Sequence, residues 1–534
     1  LEQGQFKKKL TLLDLTFLGC GSIIGSGWLY GSMNAASLAG SLAWISWIIG
    51  AIIFMLIGLV YAELSAALPR SGGFLRYPDY SHGSMVGYLA GFASLLGYTS
   101  VIGVEVEAVR QYASAWLGGM QDANGNPTIL GFLVQAALIV LFFLINYWSV
   151  NFFGKVNTAL TFFKFVVPIL IVIILLLNMH PSNFSAGGAD PGGIHGVFKA
   201  VVAAGIAFAF LGFRQSVDFA AEAKKPQTSV PWSIILSVVL CLVLYIILQI
   251  AFIGAVPANV INGGWASIDW ESPWVNLAKL LGAYWLATLV SIDAAISPAA
   301  TGNIFLSGTA RVMFAWAKNG YFYSIFQKVD KRTGLPRGAL WLALIMGIAW
   351  TLPGQFQSWS GLVGAVTSAF VLTYMLGPIS LASFRKTDPD LPRPFKLRGA
   401  SVISPLAFVA ASLVAYWSGW ATMEILIVLM VASLILYLAF VDKDKRLRAT
   451  LKEDFKATIW LFGYYAFMLI ILFIGSFGPT NDDGEMPHQL IKGPWDSIIL
   501  AVGALVIYYW GVASALKKSR IILEEDEVSD VQAS

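Results

Sequence analysis

Apolar stretches follow one another along the chain, separated by short connections that carry the polar, basic, glycine and proline residues. A helix crossing the hydrocarbon layer of a bilayer needs about 20 predominantly apolar residues. Fourteen such runs are legible, near residues 12 to 32, 41 to 68, 85 to 117, 129 to 150, 156 to 177, 197 to 219, 232 to 256, 280 to 304, 339 to 353, 362 to 384, 403 to 418, 421 to 440, 457 to 477 and 495 to 516. The pattern predicts an all-α polytopic membrane protein in which the whole length forms one lipid-embedded body.

Two runs break the pattern. The first contains GCGSIIGSGW, residues 19 to 28, with four glycines and two serines in ten positions. Glycine in a helix interior costs about 1 kcal/mol relative to alanine, and serine competes for backbone bonds, so this span is weakened where lipid most demands a helix. The sixth contains FAFLGFRQSVD, residues 208 to 218, where Gly212 and Arg214 interrupt an apolar stretch. Broken helices survive in a bilayer only where protein or a polar cavity satisfies the freed backbone groups. The interrupted spans are five apart, and because five is odd the second set of five enters from the opposite side. That arithmetic predicts an inverted-topology repeat with a site between the two breaks.

Composition and charge sharpen this reading. The 534 residues are 57% hydrophobic and 12% charged, about half the charge of a soluble domain. The net charge of +4 is no nucleic-acid signature, because the basic residues sort by side. With the N-terminus inside, Arg70, Arg76, Lys155, Lys224, Lys225, Lys318, Lys328, Lys331, Arg332, Arg337, Arg385, Lys386 and the cluster from Lys443 to Lys456 share one face, and Lys492 stands almost alone on the other. The positive-inside rule then puts both termini in the cytoplasm of a cell-membrane protein. No cleavable signal is expected before the first span, which follows Lys7, Lys8 and Lys9. The acidic residues 524 to 527 read as a solvated end. Cys20 and Cys241 suggest no disulfide framework, and His82, His180, His195 and His488 are too scattered for a metal site.

Four pieces, GSIIGSGW in the first span, YAELSAALPRSGGFLRY at 61 to 77, GF followed by EAKKPQ within 212 to 227, and TARVMFAWAKNGYF at 309 to 322, together resemble the amino acid, polyamine and organocation (APC) transporters over residues 10 to 440. FRQSVDFAAE is most similar to the bacterial aspartate:proton symporter group. The resemblance implies a LeuT-like 5+5 inverted repeat with broken helices 1 and 6, plus further C-terminal helices. The segments expected are a cytoplasmic N-terminus at 1 to 11, repeats at 12 to 177 and 197 to 384, helices 11 and 12 at 403 to 440, helices 13 and 14 at 457 to 516, and a cytoplasmic tail at 517 to 534. Helices 13 and 14 depart from the family's twelve-helix pattern.

Amide groups opening a half-helix carry partial positive charge and hold a carboxylate without a basic side chain. Ser26 and Gly27 are the expected donors, with Gly25 permitting close approach. Gly21 and Gly25 also fit a small-residue packing face, and the two readings are compatible. The resemblance implies that backbone at Ile23, Ile24, Phe208 and Leu211 accepts from a substrate ammonium, that Phe208 and Phe210 cover the ligand, and that Thr301 and Asn303 lie near the site. Lys164, inside the fifth span, stands where proton-coupled members carry a lysine that bridges helix 1 near Gly21 or Ser22 to helix 8; a permanently charged lysine tying helices together is the alternative. A lysine removed from water exchanges its proton readily enough to serve as a carrier.

Charges at membrane depth are functional candidates by default. Glu107 and Arg110, three apart, fit an internal pair. Glu105 remains as a proton carrier or as a partner for Arg214. Arg214 is suited either to a substrate's side-chain carboxylate, gripped through two parallel bonds, or to Asp218 one turn on. Glu63, Glu222 and the lysines beside Glu222 belong near the cytoplasmic mouth, where an ordinary solvated helix end is the first expectation and a gate salt bridge the alternative.

No phosphate-binding GxxxxGK[ST] loop and no nucleophile-and-base constellation is present, which argues against an ATP-driven pump or a membrane enzyme. The expectation is a secondary active importer of amino acids, acidic ones foremost, coupled to protons as the only cofactor-like species and working by alternating access. A neutral or broad-range symporter, an exchanger, and a channel remain the alternatives. The partners implied are the amino acid and the lipid bilayer, without nucleic acid; the oligomeric state is left open.

Overall fold

A computed structural model describes residues 8–114, 116–123, 125–148, 150–186, 192–330, 335–352, 359–481 and 485–521. Lys7, Lys331, Arg332 and residues 524–527 lie outside them, as does the Lys155 side chain. The described elements are helices: α1 Leu12–Ile23, α2 Gly27–Ala39, α3 Ala43–Ala67, α4 Gly73–His82, α5 Ser84–Ala113, α6 Ile129–Trp148, α7 Val150–Leu177, α8 Gly193–Ala203, α9 Ile206–Phe210, α10 Arg214–Asp218, α11 Pro226–Ala255, α12 Ala258–Ile261, α13 Pro273–Leu280, α14 Tyr284–Lys318, α15 Arg337–Ala349, α16 Trp359–Tyr374, α17 Leu376–Thr387, α18 Ala400–Trp417, α19 Trp420–Lys443, α20 Lys445–Ile474 and α21 Trp495–Ala513, with short 3-10 turns between some of them. Among the described residues, eleven helices are long and apolar enough to cross a membrane, or twelve when the bent pair at 193–218 counts as one; Leu12–Ile23 and Arg337–Ala349 are shorter apolar helices. The chain is a multi-pass, all-helical membrane protein.

Burial separates central from peripheral helices. The apolar window of α5 is 89% buried inside the protein, whereas those of α6 and α19 are only 33% buried and turn leucine, isoleucine and valine outward, the side chains suited to lipid. The helix α5 packs against α14 and α16, α3 against α11, and α1 against α11, α7 and α14, so the second half of α1, Leu18–Ile23, is buried while Leu12 and Leu13 at its start are exposed.

Several helices differ from the hydropathy reading. The helix α14 continues to Lys318, well past the apolar run that ends near 304, because Thr309 bonds Phe305 O and Arg311 pairs inward with Glu222. The helix α20 starts at Lys445, with Asp444 as its N-cap, so the basic cluster expected in a loop is largely helical. Hydropathy marks depth in the membrane; capping and pairing set where a helix ends. The sixth apolar run bends by 48° between α8 and α9. The bend falls at Gly205, which takes φ +81, a conformation that glycine adopts without a Cβ penalty. Gly212, where the interruption was expected, lies in a 3-10 turn, Leu211–Phe213, that separates α9 from α10.

Candidate functional site

Three residues, Ile24, Gly25 and Ser26, separate α1 from α2. Helix ends leave backbone donors and acceptors unpaired, and here they find partners from other helices. The Ser26 N–H donates to Glu105 Oε2 at 2.8 Å. On the other side of the break, Ile23 O accepts from Tyr245 Oη at 2.8 Å, and Gly21 O accepts from Lys164 Nζ at 2.6 Å and from Thr301 Oγ1 at 2.8 Å. Ile24 O accepts a longer bond from Thr301 Oγ1, 3.3 Å. The break is therefore held by α5, α7, α11 and α14 together.

Lys164 is fully buried, and its ammonium nitrogen also lies 2.6 Å from Thr301 Oγ1. Thr301 thus joins the lysine to the α1 backbone. A Cβ on Gly21 would stand 2.5 Å from Thr161 Oγ1, and one on Gly25 would stand 2.6 Å from Glu105 Oε1 and 3.0 Å from Thr301 Oγ1. The absent side chains bring a carboxylate, a hydroxyl and a lysine against bare backbone. The second oxygen, Glu105 Oε1, is buried without a hydrogen-bond partner.

The two interrupted spans touch. A Cβ on Gly212 would lie 2.5 Å from Ile23 N and 2.7 Å from Ser22 Cβ, so the 3-10 turn rests directly on the end of α1. Trp359, at the start of α16, donates from Nε1 to Ser26 Oγ at 2.8 Å and meets Phe208 edge-on at 6.2 Å. Phe210 instead packs among Trp47, Phe54 and Tyr245. Leu211 O accepts from Tyr374 Oη at 2.7 Å. Asn303 belongs to a neighbouring pair, its side-chain oxygen accepting from Asn146 at 2.8 Å.

Two buried arginines, Arg214 and Arg110, are paired internally. Arg214 donates to Asp218 Oδ2 at 2.9 Å, to Thr373 Oγ1 at 2.9 Å and to Ser94 Oγ at 2.8 Å, and its guanidinium lies 4.3 Å from the centre of the Phe74 ring. Tyr98 Oη donates to the same Asp218 oxygen. Glu105 thus lies at the α1 break while Asp218 is the carboxylate beside Arg214. Arg110 binds Glu107 at 2.5 Å, and Gln135 Nε2 adds a bond to Glu107 at 2.6 Å.

Two carboxylates, Glu222 and Glu63, are held in buried ion pairs rather than as solvated helix ends. Glu222 accepts from Arg311 Nε and Nη2 at 2.6 and 3.0 Å, and its carbonyl accepts from the Lys9 and Leu10 amides. Glu63, wholly buried, pairs with Arg385 at 2.5 Å and Arg393 at 3.3 Å. Tyr245 and Trp359 escape sequence reasoning because aromatics are abundant and their indole or hydroxyl partners lie hundreds of positions away. Asp293 and Ser297 carried a usable signal, an acid and a hydroxyl four apart within an apolar run.

Helices of membrane-spanning length packed around the junction of α1 and α2, with a lysine and a carboxylate on its backbone, suit a membrane transporter. Residues 10–448 match the amino acid permease family, and the chain belongs to that family. It is 44% identical over 525 residues to the aspartate-proton symporter of Bacillus subtilis, covering 97% of this chain and 99% of that protein. It is 37% identical over 521 residues to the glutamate/serine transporter AimA of the same organism, covering 96% and 94%. The branched-chain amino acid permease BcaP, also from Bacillus subtilis, is 26% identical over 453 residues. These relatives are transporters and permeases; the chain is a transporter and not an enzyme. Helices α20 and α21 lie almost wholly beyond the family match, whereas the two nearly full-length alignments extend over them.

Proposed function

We propose that this permease imports acidic amino acids together with protons, by alternating exposure of a site at the break between α1 and α2. The observation that carries the reading is the Lys164 ammonium nitrogen, 2.6 Å from both Gly21 O and Thr301 Oγ1, where a change in its charge acts directly on the broken helix and on α14. The near full-length similarity to an aspartate-proton symporter supports the choice of proton and acidic substrate. In this reading fourteen spans form a five-plus-five inverted repeat with two broken helices and four further spans, and both termini face the cytoplasm across the cell membrane. The substrate's α-carboxylate takes the amides of Ser26 and Gly27, and its ammonium takes backbone oxygens of the two breaks. Glu105 and Lys164 carry the coupling proton, Phe208 covers the site, and Phe210, Leu211, Thr301 and Asn303 support it.

Arg214 has a place in this scheme if the substrate's side-chain carboxylate replaces Asp218 as its partner. Its three present bonds favour a second reading, a symporter of neutral or broader range in which Arg214 stays structural. Liposomes containing only this protein distinguish the two. Acid-outside gradients should drive aspartate accumulation without sodium, aspartate and glutamate should compete far better than alanine, serine or lysine, and Arg214→Gln should weaken the acidic substrates selectively. Equal competition by neutral amino acids selects the second reading, and accumulation driven by sodium alone removes proton coupling.

A further inference from the structure

The helix α14 carries three buried polar side chains, Asp293, Ser297 and Thr301, at successive intervals of four. Residues spaced in this way share one face of a helix, and the eight-residue interval spans about 12 Å. The stripe ends at Lys164, whose Nζ lies 2.6 Å from Thr301 Oγ1. At its other end Ser297 Oγ donates to Asp293 Oδ1 at 3.1 Å. Asp293 Oδ2 is buried and has no hydrogen-bond partner among the described residues.

A fully buried acid at membrane depth with an unpartnered oxygen is expensive to keep as packing, since a serine or alanine would fill the place without that cost. The groups with which Asp293 interacts electrostatically are Tyr112 from α5 and Lys164 from α7. Tyr112 turns its hydroxyl to Leu29 O at 3.4 Å, so it does not satisfy the acid. Pro298 adds a second polar feature to the stripe, because it lacks the N–H that Ala294 O would otherwise receive.

We infer that Asp293 is the outer station of a proton route that runs down α14 through Ser297 and Thr301 to Lys164. The inference rests on the proposed proton-coupled import and its orientation, in which the α13–α14 end faces outward. An external proton adds to the Asp293 carboxylate. Transfer follows by exchange of hydroxyl protons at Ser297 and Thr301, with one water bridging the interval between them. The neutral Lys164 amine becomes an ammonium, and Asp293 returns to a carboxylate. Asp293 does not touch the amides assigned to the substrate, so it acts on coupling and leaves binding intact.

The test uses the full chain in liposomes with radiolabelled aspartate and two readouts: exchange between equal internal and external aspartate at one pH, and accumulation driven by external acid over a range of pH. Asp293→Asn should leave exchange within about twofold of the parent, while acid-driven accumulation falls at least about tenfold and loses its pH dependence. Asp293→Glu should restore part of that dependence, and Ser297→Ala should slow accumulation while sparing exchange. Accumulation in Asp293→Asn with the parent's pH profile overturns the inference. So does a loss of exchange alongside accumulation in both the asparagine and Ser297→Ala variants, which marks a packing role. A parent protein with no acid-driven uptake removes the proposed function instead, and this route with it.

Discussion

Gly212→Ala tests whether direct contact between the two interrupted spans sets the transport site. A methyl group meets its neighbours at about 3.5 to 4 Å, but a Cβ at Gly212 would stand 2.5 Å from Ile23 N and 2.7 Å from Ser22 Cβ. The obstacle is mainly backbone, so a rotamer change does not relieve it, and the 3-10 turn and α1 must separate by about 1 Å. Overpacking of this kind costs about 1 to 3 kcal/mol. If about 2 kcal/mol of that is charged to the site, aspartate affinity falls about 30-fold. Gly364→Ala is the control: its Cβ would meet only Thr422 Oγ1, at 3.6 Å, and alanine favours the helix there by about 1 kcal/mol. Saturation binding and initial uptake rates in liposomes, with a detergent melting curve for each variant, give the readout. Parent-like affinity and uptake in Gly212→Ala would refute the reasoning, because the two breaks would then tolerate separation without loss of the site.

Replacing Lys164 with alanine should abolish acid-driven accumulation, and a variant that still concentrates aspartate with protons would move coupling elsewhere. Gly25→Val should prevent binding while leaving the protein inserted, since even the first carbon meets Glu105 Oε1 at 2.6 Å; normal uptake would displace the carboxylate site from this backbone. Glu63→Gln should lower stability by up to about 3 kcal/mol by weakening a buried pair, less in so far as Arg385 is 28% exposed; chemical denaturation in detergent measures it. On α4, outside the spans, burial pushes the Asp79 carboxyl up to about 7, against the opposing pull of Arg76 and Arg520. The folded state then keeps a proton that the unfolded chain releases from about pH 4 upward, so stability contributed by this group falls as pH rises toward 7 and levels off above it. Asp79→Asn should flatten that slope in melting curves taken between pH 5 and 8.

Hydropathy by itself determined that the chain is a polytopic helical membrane protein, because bilayer thickness imposes a length on apolar runs that no soluble fold requires. The glycines and serines of residues 19–28 also marked the weak point of the first span, since helix propensity is local. Lys164 stood out for the same kind of reason: a lone cation in an apolar run is visible without its partners. Tertiary structure decided what those residues meet. It set Thr301 between Lys164 and the Gly21 carbonyl, turned Glu105 to the Ser26 amide and gave Asp218, Thr373 and Ser94 to Arg214. It also bent the sixth run at Gly205, which takes a positive φ, and set Gly212 in a 3-10 turn against the α1 backbone. Both glycines look alike in sequence, because composition records what a residue permits, while the three-dimensional neighbours decide which of those permissions the fold uses.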